Sequence, residues 1–199
     1  QNMVALGILD TIHASLRNFP DHPAVVASTL GLLRNLCAND EIKTTVCRSS
    51  LGEILHVLQE HGAHASVQEN GCGILTAMAL REPNNARSIL NANGMTVLVQ
   101  MMERFPGKVS LQRQCALAVR NIVSRLSEAE KTAILDNSSV ENVLRNICGR
   151  HQGSVEESYA ALRDLGCEVT MYKVNVDGSL TRGTEEFGKV KSNFRREYD

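Results

Sequence analysis

Tryptophan is absent from this 199-residue chain, aromatic residues make up only 4% of it, and there are four prolines. A core without Trp and with few rings must be filled by Leu, Ile, Val, Ala, Met and Cys, which suits small helices packed close together. No apolar run approaches the roughly 20 residues that a membrane-spanning helix needs. The formal net charge is −1, so no global field favours nucleic acid or a membrane surface, and neither partner is expected. Six cysteines are present, yet no Cys-x-x-Cys occurs. Cys37, Cys72, Cys115 and Cys148 fall on apolar helical stripes among Leu and Ala, which reads as buried thiols in a reducing, cytoplasmic compartment rather than as a disulfide framework. The chain starts at Gln1 inside a helical pattern, with no basic segment followed by an apolar one as in a signal peptide, and is expected to be a fragment or processed piece.

What the chain does contain is a phrase that returns. Ser66-Val67-Gln68, Ser110-Leu111-Gln112 and Ser154-Val155-Glu156 stand 44 residues apart (66 to 110, 110 to 154). Each opens a helix that ends in a related signature: Leu75-Thr76-Ala77-Met78, Val119-Arg120-Asn121-Ile122 and Leu162-Arg163-Asp164-Leu165, with an earlier copy at Leu33-Arg34-Asn35-Leu36. A period in the low forties implies a helical solenoid, in which no single repeat can bury its own apolar face and stacked neighbours do so together.

The apolar spacing predicts a helix over 2–17 and another over about 24–37, separated by Pro20 and Pro23. A short helix from an Asn39-Asp40 cap to Val46 is expected next, then a separate medium helix after Gly52. Short, medium and long helices then repeat, with the medium ones aligned at Ile54-Leu55, Val97-Leu98 and Val143-Leu144. Ser66 with Glu69, Ser127 with Glu130 and Ser154 with Glu157 read as capping boxes, and Gly62, Gly107 and Gly153 mark the turns from medium to long helix.

These signatures, together with Asn84-Asn85-Ala86-Arg87-Ser88-Ile89-Leu90-Asn91-Ala92-Asn93-Gly94, resemble armadillo repeats over residues 1 to about 166. HEAT repeats are the close rival. The resemblance implies an all-α, right-handed superhelical solenoid whose long third helices line a concave groove, with a first repeat that is incomplete. It also implies that the signature Asn holds the backbone of an extended protein ligand, a residue kept here at Asn35 and Asn121 and replaced at Ala77 and Asp164. The Trp that nuclear-import adaptors carry four residues earlier is replaced by Gly31, Gly73, Leu117 and Ala160, which argues against reception of basic localisation signals.

Ser28, Asn70, Gln114 and Glu157 lie one turn earlier on the same face and complete a polar candidate groove. Gly31 and Gly73 allow either close approach by a partner or tight helix packing, and Arg34, Arg120 and Arg163 pair with a partner's acids or within the chain. His56, His61 and His64 lack neighbouring Cys or carboxylate at ligand spacing and read as surface histidines rather than zinc ligands. Met78, Met101 and Met102 read as core. No Ser/His/Asp set, paired carboxylates or phosphate loop stands out, so neither catalytic residues nor a cofactor is expected.

The period stops at Gly166. Residues 167–199 are expected to form an extended strand or hairpin around Asp177-Gly178, then a polar tail anchored by Phe187, Phe194 and Tyr198, which either docks on a partner or caps the last repeat. The functional expectation is a non-enzymatic protein-binding adaptor. The alternative is a structural subunit of a cytoskeletal assembly, such as a microtubule-based ciliary axoneme.

Overall fold

The computed structural model describes residues 2–150, 155–169, 171–174 and 180–183. The chain divides into two compact units, residues 1–167 and 168–199. Among the described residues of the first, ten helices follow one another: α1 (Asn2–Asn18), α2 (Pro23–Leu36), α3 (Asp40–Glu60), α4 (Ala65–Ala79), α5 (Pro83–Asn91), α6 (Gly94–Arg104), α7 (Val109–Val123), α8 (Glu128–Asn137), α9 (Val140–Arg150) and α10 (Val155–Asp164). In the second, β1 (Met171–Val174) and β2 (Leu180–Gly183) pair antiparallel, with Met171 opposite Gly183 and Val174 opposite Leu180. The expected Asp177-Gly178 turn and the anchors Phe187, Phe194 and Tyr198 lie outside the described residues, as do Gly153 and Ser154.

Each repeat sends a long helix into one wall. α2 packs on α4, α4 on α7, and α7 on α10. Behind this wall lie α1, α3, α6 and α9, whose apolar stripes close the core: Leu55, Leu98 and Leu144 are buried at matching positions. Met78, Met101 and Met102 are buried, as the stripe pattern predicts. The local start signals are physical. Asn39 accepts the Glu41 and Ile42 amides at 3.0 and 3.1 Å, and Ser127 forms a reciprocal capping box with Glu130. Pro23 and Pro83 sit in the first turns of α2 and α5, where a missing N–H costs nothing.

Two local expectations are corrected. The break at Gly52 does not occur, and α3 runs unbroken through 21 residues. In the next repeat the short and medium helices part at Asn93, which adopts φ 61°, followed by Gly94. The matching position in α3 is Ser50, which stays helical, so Gly52 costs about 1 kcal/mol of helix propensity without ending the helix. Ser66 with Glu69 is not a capping box either. α4 begins earlier, after His64, and Glu69 instead accepts the Ser110 hydroxyl at 3.1 Å from the neighbouring long helix.

Candidate interaction surface

The surface of the wall is built by side chains that tie one long helix to the next. Asn70 Nδ2 donates to the Ala27 carbonyl at 2.8 Å, joining α4 to α2. Asn121 Nδ2 donates to the Thr76 carbonyl at 3.1 Å, joining α7 to α4. Arg113 pairs with Glu157 at 2.7 Å and Arg120 with Asp164 at 3.3 Å, joining α7 to α10. Arg163 donates to the same Asp164 carboxylate at 2.8 Å, so these two arginines are paired within the chain. Of the six groove residues expected from sequence, Asn70, Asn121 and Glu157 therefore spend part of their hydrogen-bonding capacity on the fold. Ser28 bonds its own helix, at the Ala24 carbonyl, 2.9 Å away. Asn35 is exposed and Gln114 half-buried, and among the described residues neither side chain makes a hydrogen bond.

Gly31 and Gly73 serve packing. A Cβ at Gly73 would collide with the Arg34 side chain, and one at Gly31 would come within 3.3 Å of Asn70 Nδ2. Arg34 and Asn70 thus occupy the space that a partner's close approach would need.

Behind the wall the recurring Gln has a clear task. Gln68 Nε2 donates to the Leu58 and His61 carbonyls at 2.8 and 3.1 Å. Gln112 Nε2 donates to the Met102 and Phe105 carbonyls, both at 2.8 Å. Each buried amide thereby serves the carbonyls at the end of the preceding helix, α3 or α6: those of Leu58 and Met102 take no backbone N–H, whereas those of His61 and Phe105 also accept the His64 and Lys108 amides. The signal for this device was the Ser-Val-Gln phrase itself, whose Gln the spacing alone left unexplained. The third copy carries Glu156, which is exposed and has no N–H to offer.

His61 is not a surface histidine. It is 8% exposed, and its Nε2 lies 2.7 Å from the Pro20 carbonyl in the preceding turn. His56 and His64 are exposed as expected. Among the described residues no group of three or more His, Cys, Asp or Glu is placed to hold a metal ion.

One constellation was invisible in the sequence. His13 contacts Glu53 through Nδ1 and Ser50 Oγ through Nε2 at 3.0 Å, an order that resembles an acid–base–nucleophile relay. Ser50 is 2% exposed and lies inside continuous α3, where backbone N–H groups are committed to the helix and cannot form an oxyanion hole. The cluster instead fastens α1 to α3.

All six cysteines are free thiols; Cys37, Cys47, Cys72 and Cys115 are buried, Cys148 and Cys167 half-buried. Burial, reinforced by Cys47, pushes the Cys37 thiol up to about 12. Cys72 and Cys115 meet across α4 and α7 at 3.4 Å, and their hydrogen bond, with burial, raises Cys115 well above the ordinary thiol range. Such groups stay protonated at neutral pH and act as small apolar residues.

Long helices set side by side, each carried on shorter ones at a step in the low forties, make residues 1–167 an all-α, armadillo-like solenoid. No family model matches the chain. It is similar to Armadillo repeat-containing protein 6 of Homo sapiens, at 31% identity over 98 residues, which cover 45% of this chain and 20% of that protein. The same protein of Pongo abelii is 31% identical over 96 residues, or 44% of this chain and 19% of the relative. The chain thus spans about a fifth of the length of these curated relatives. Both matches support an armadillo-repeat relationship. Among the described residues no helix is long and apolar enough to cross a membrane.

Proposed function

We propose that the wall formed by α2, α4, α7 and α10 is a protein-interaction surface, on which an extended partner segment lies across the long helices. The armadillo relationship points to a non-enzymatic repeat protein with protein partners, and this reading follows it. The observation that carries it is Asn35. Its amide is exposed and makes no hydrogen bond within the described chain, so donor and acceptor both stand ready for a partner's backbone. Gln114 adds a second amide without a described partner, and Asn121 keeps its Oδ1 after its Nδ2 is spent on Thr76. Ser28, Asn70 and Glu157 border the same row. Glu157 and Asp164 are held by Arg113, Arg120 and Arg163, so the acidic groups of the row are already paired and recognition through amides and shape is favoured over recognition of a strongly basic peptide.

The test is affinity capture from native extract followed by quantitative binding. Replacing Asn35 and Asn121 together by Ala is expected to weaken a captured partner about tenfold, corresponding to about 1.4 kcal/mol from lost hydrogen bonds. Unchanged affinity would remove this surface from the reading.

A further inference from the structure

Behind the wall, a crevice opens wherever one medium helix ends, a long helix begins and the next medium helix passes by. The first lies among α1, α2 and α3, encloses about 350 Å³, and has Leu16, Val26 and Val57 in its apolar lining. The second, among α3, α4 and α6, encloses about 250 Å³, and the third, among α6, α7 and α9, about 220 Å³. Leu58 and Met102 line the later two where Leu16 lines the first, and Gln68 and Gln112 stand in place of Val26.

Two groups that occupy the second crevice are missing from the first. Gln68 and Gln112 bring an N–H to the Leu58 and Met102 carbonyls, whereas Val26 has none to bring to that of Leu16. The backbone does not replace it: four positions on stands Pro20, without an N–H, and the Phe19 amide goes to the Ser15 carbonyl. The Leu16 carbonyl therefore lacks the donor that its two counterparts have. The other missing group is a guanidinium. Arg104 lines the second crevice and lies so close to Gly62 that an added Cβ there would collide with it. In the first crevice α3 contributes Glu53, His56 and Glu60 instead. Its lining sets three carboxylates, Asp21, Glu53 and Glu60, against the guanidinium of Arg17. Glu53 is engaged by His13, while Asp21 and Glu60 are exposed. Two helices, α1 and α3, also end here, and α3 has no basic residue in its last turn, so their terminal carbonyls add partial negative charge.

We propose that this first crevice binds an arginine side chain of a protein partner. The alkyl stem lies along Leu16, Val26 and Val57, and the guanidinium sits among the Leu16 carbonyl and the carboxylates of Asp21 and Glu60. Cavities that hold small ligands span about 300–1,000 Å³, so this one, at the small end, suits a single long side chain. Lysine offers a point charge in place of the planar fork, and a free amino acid would bring its own carboxylate to an acidic rim. The site shares no residue with the polar row of the wall, so each of the two readings stands or falls alone.

A heteronuclear NMR titration of the whole chain with N-acetyl-arginine amide tests this. Saturable shifts are expected at the amides of residues 16–22 and 53–61, which frame the crevice. N-acetyl-citrulline amide, of the same shape without the charge, and N-acetyl-lysine amide, of the same charge without the fork, are each expected to bind about tenfold more weakly. Asp21→Asn with Glu60→Gln, both at exposed positions, should weaken the arginine probe about tenfold and leave the fold intact. Val26→Gln supplies the amide that the later crevices carry and should close the site. The absence of saturable shifts at these residues, equal binding of either control, or unchanged affinity in the double variant overturns the proposal. Free arginine is expected to bind less tightly than the blocked residue, and tighter binding would assign the crevice to a free guanidinium compound instead of a partner's side chain.

Discussion

At the scale of single residues, the most economical device in this chain is an amide used twice. Gln68 and Gln112 each place one Nε2 between two carbonyls at a helix end, of which one, that of Leu58 or Met102, takes no backbone N–H. An unsatisfied buried carbonyl costs about 1–3 kcal/mol, and Leu in place of Gln keeps the volume while removing both donors. Gln112→Leu is therefore expected to destabilise the protein by about 2 kcal/mol, read from chemical denaturation. A loss below about 0.5 kcal/mol would mean that water already serves those carbonyls. The sequence showed this Gln recurring but not what it does, because its partners lie 7 and 10 residues away across a turn whose geometry only the folded chain defines. The same reason hid the task of Asn121. A signature Asn reads as a ligand contact, yet one of its N–H groups is directed at Thr76, a carbonyl 45 residues distant.

At the scale of elements, the helix starts were legible wherever the capping chemistry is local. Ser127 and Glu130 are three residues apart and meet as the spacing predicts. Ser66 and Glu69 have the same spacing and do not, because His64 already opens α4 and Glu69 has a better-placed donor in Ser110. The unbroken α3 was missed for a related reason. Gly52 is permissive in a helix, whereas the true break in the next repeat needs the left-handed backbone of Asn93, and nothing at Ser50 supplies it. The cap of α8 makes a prediction with a definite sign. The Ser127 hydroxyl, then its backbone amide, hold the Glu130 carboxyl below the ordinary glutamate range. A depressed folded value means that the cap's contribution is present above the unfolded pKa and is lost as pH falls through the folded one. Amide exchange in the first turn of α8 should therefore quicken as pH drops through the acid range, after correction for intrinsic rates. Ser127→Ala should reduce that pH dependence without removing it, since the residue 127 amide and Arg87 still bond the Glu130 carboxylate. A pH-independent first turn in the parent chain would contradict this account.

At the scale of the whole repeat unit, stability is a sum over neighbours, and the neighbours are unequal. α4 is held between α2 and α7 and also touches α3 and α5, whereas α8 has no buried residue and packs only along α9 among the stronger contacts. A local opening costs the contacts it breaks, so the unit should open in a graded order rather than all at once. Hydrogen exchange followed by mass spectrometry should find residues 128–137 exchanging at least about tenfold faster than 67–79 and 111–123, a gap of about 1.4 kcal/mol or more. Helix α2 belongs between these extremes, since α4 covers one of its sides and its outer edge leaves Val25 and Leu32 in water. Uniform protection across α2, α4, α7 and α8 would show instead that the unit unfolds as one cooperative block, and would remove the nearest-neighbour description on which that order rests.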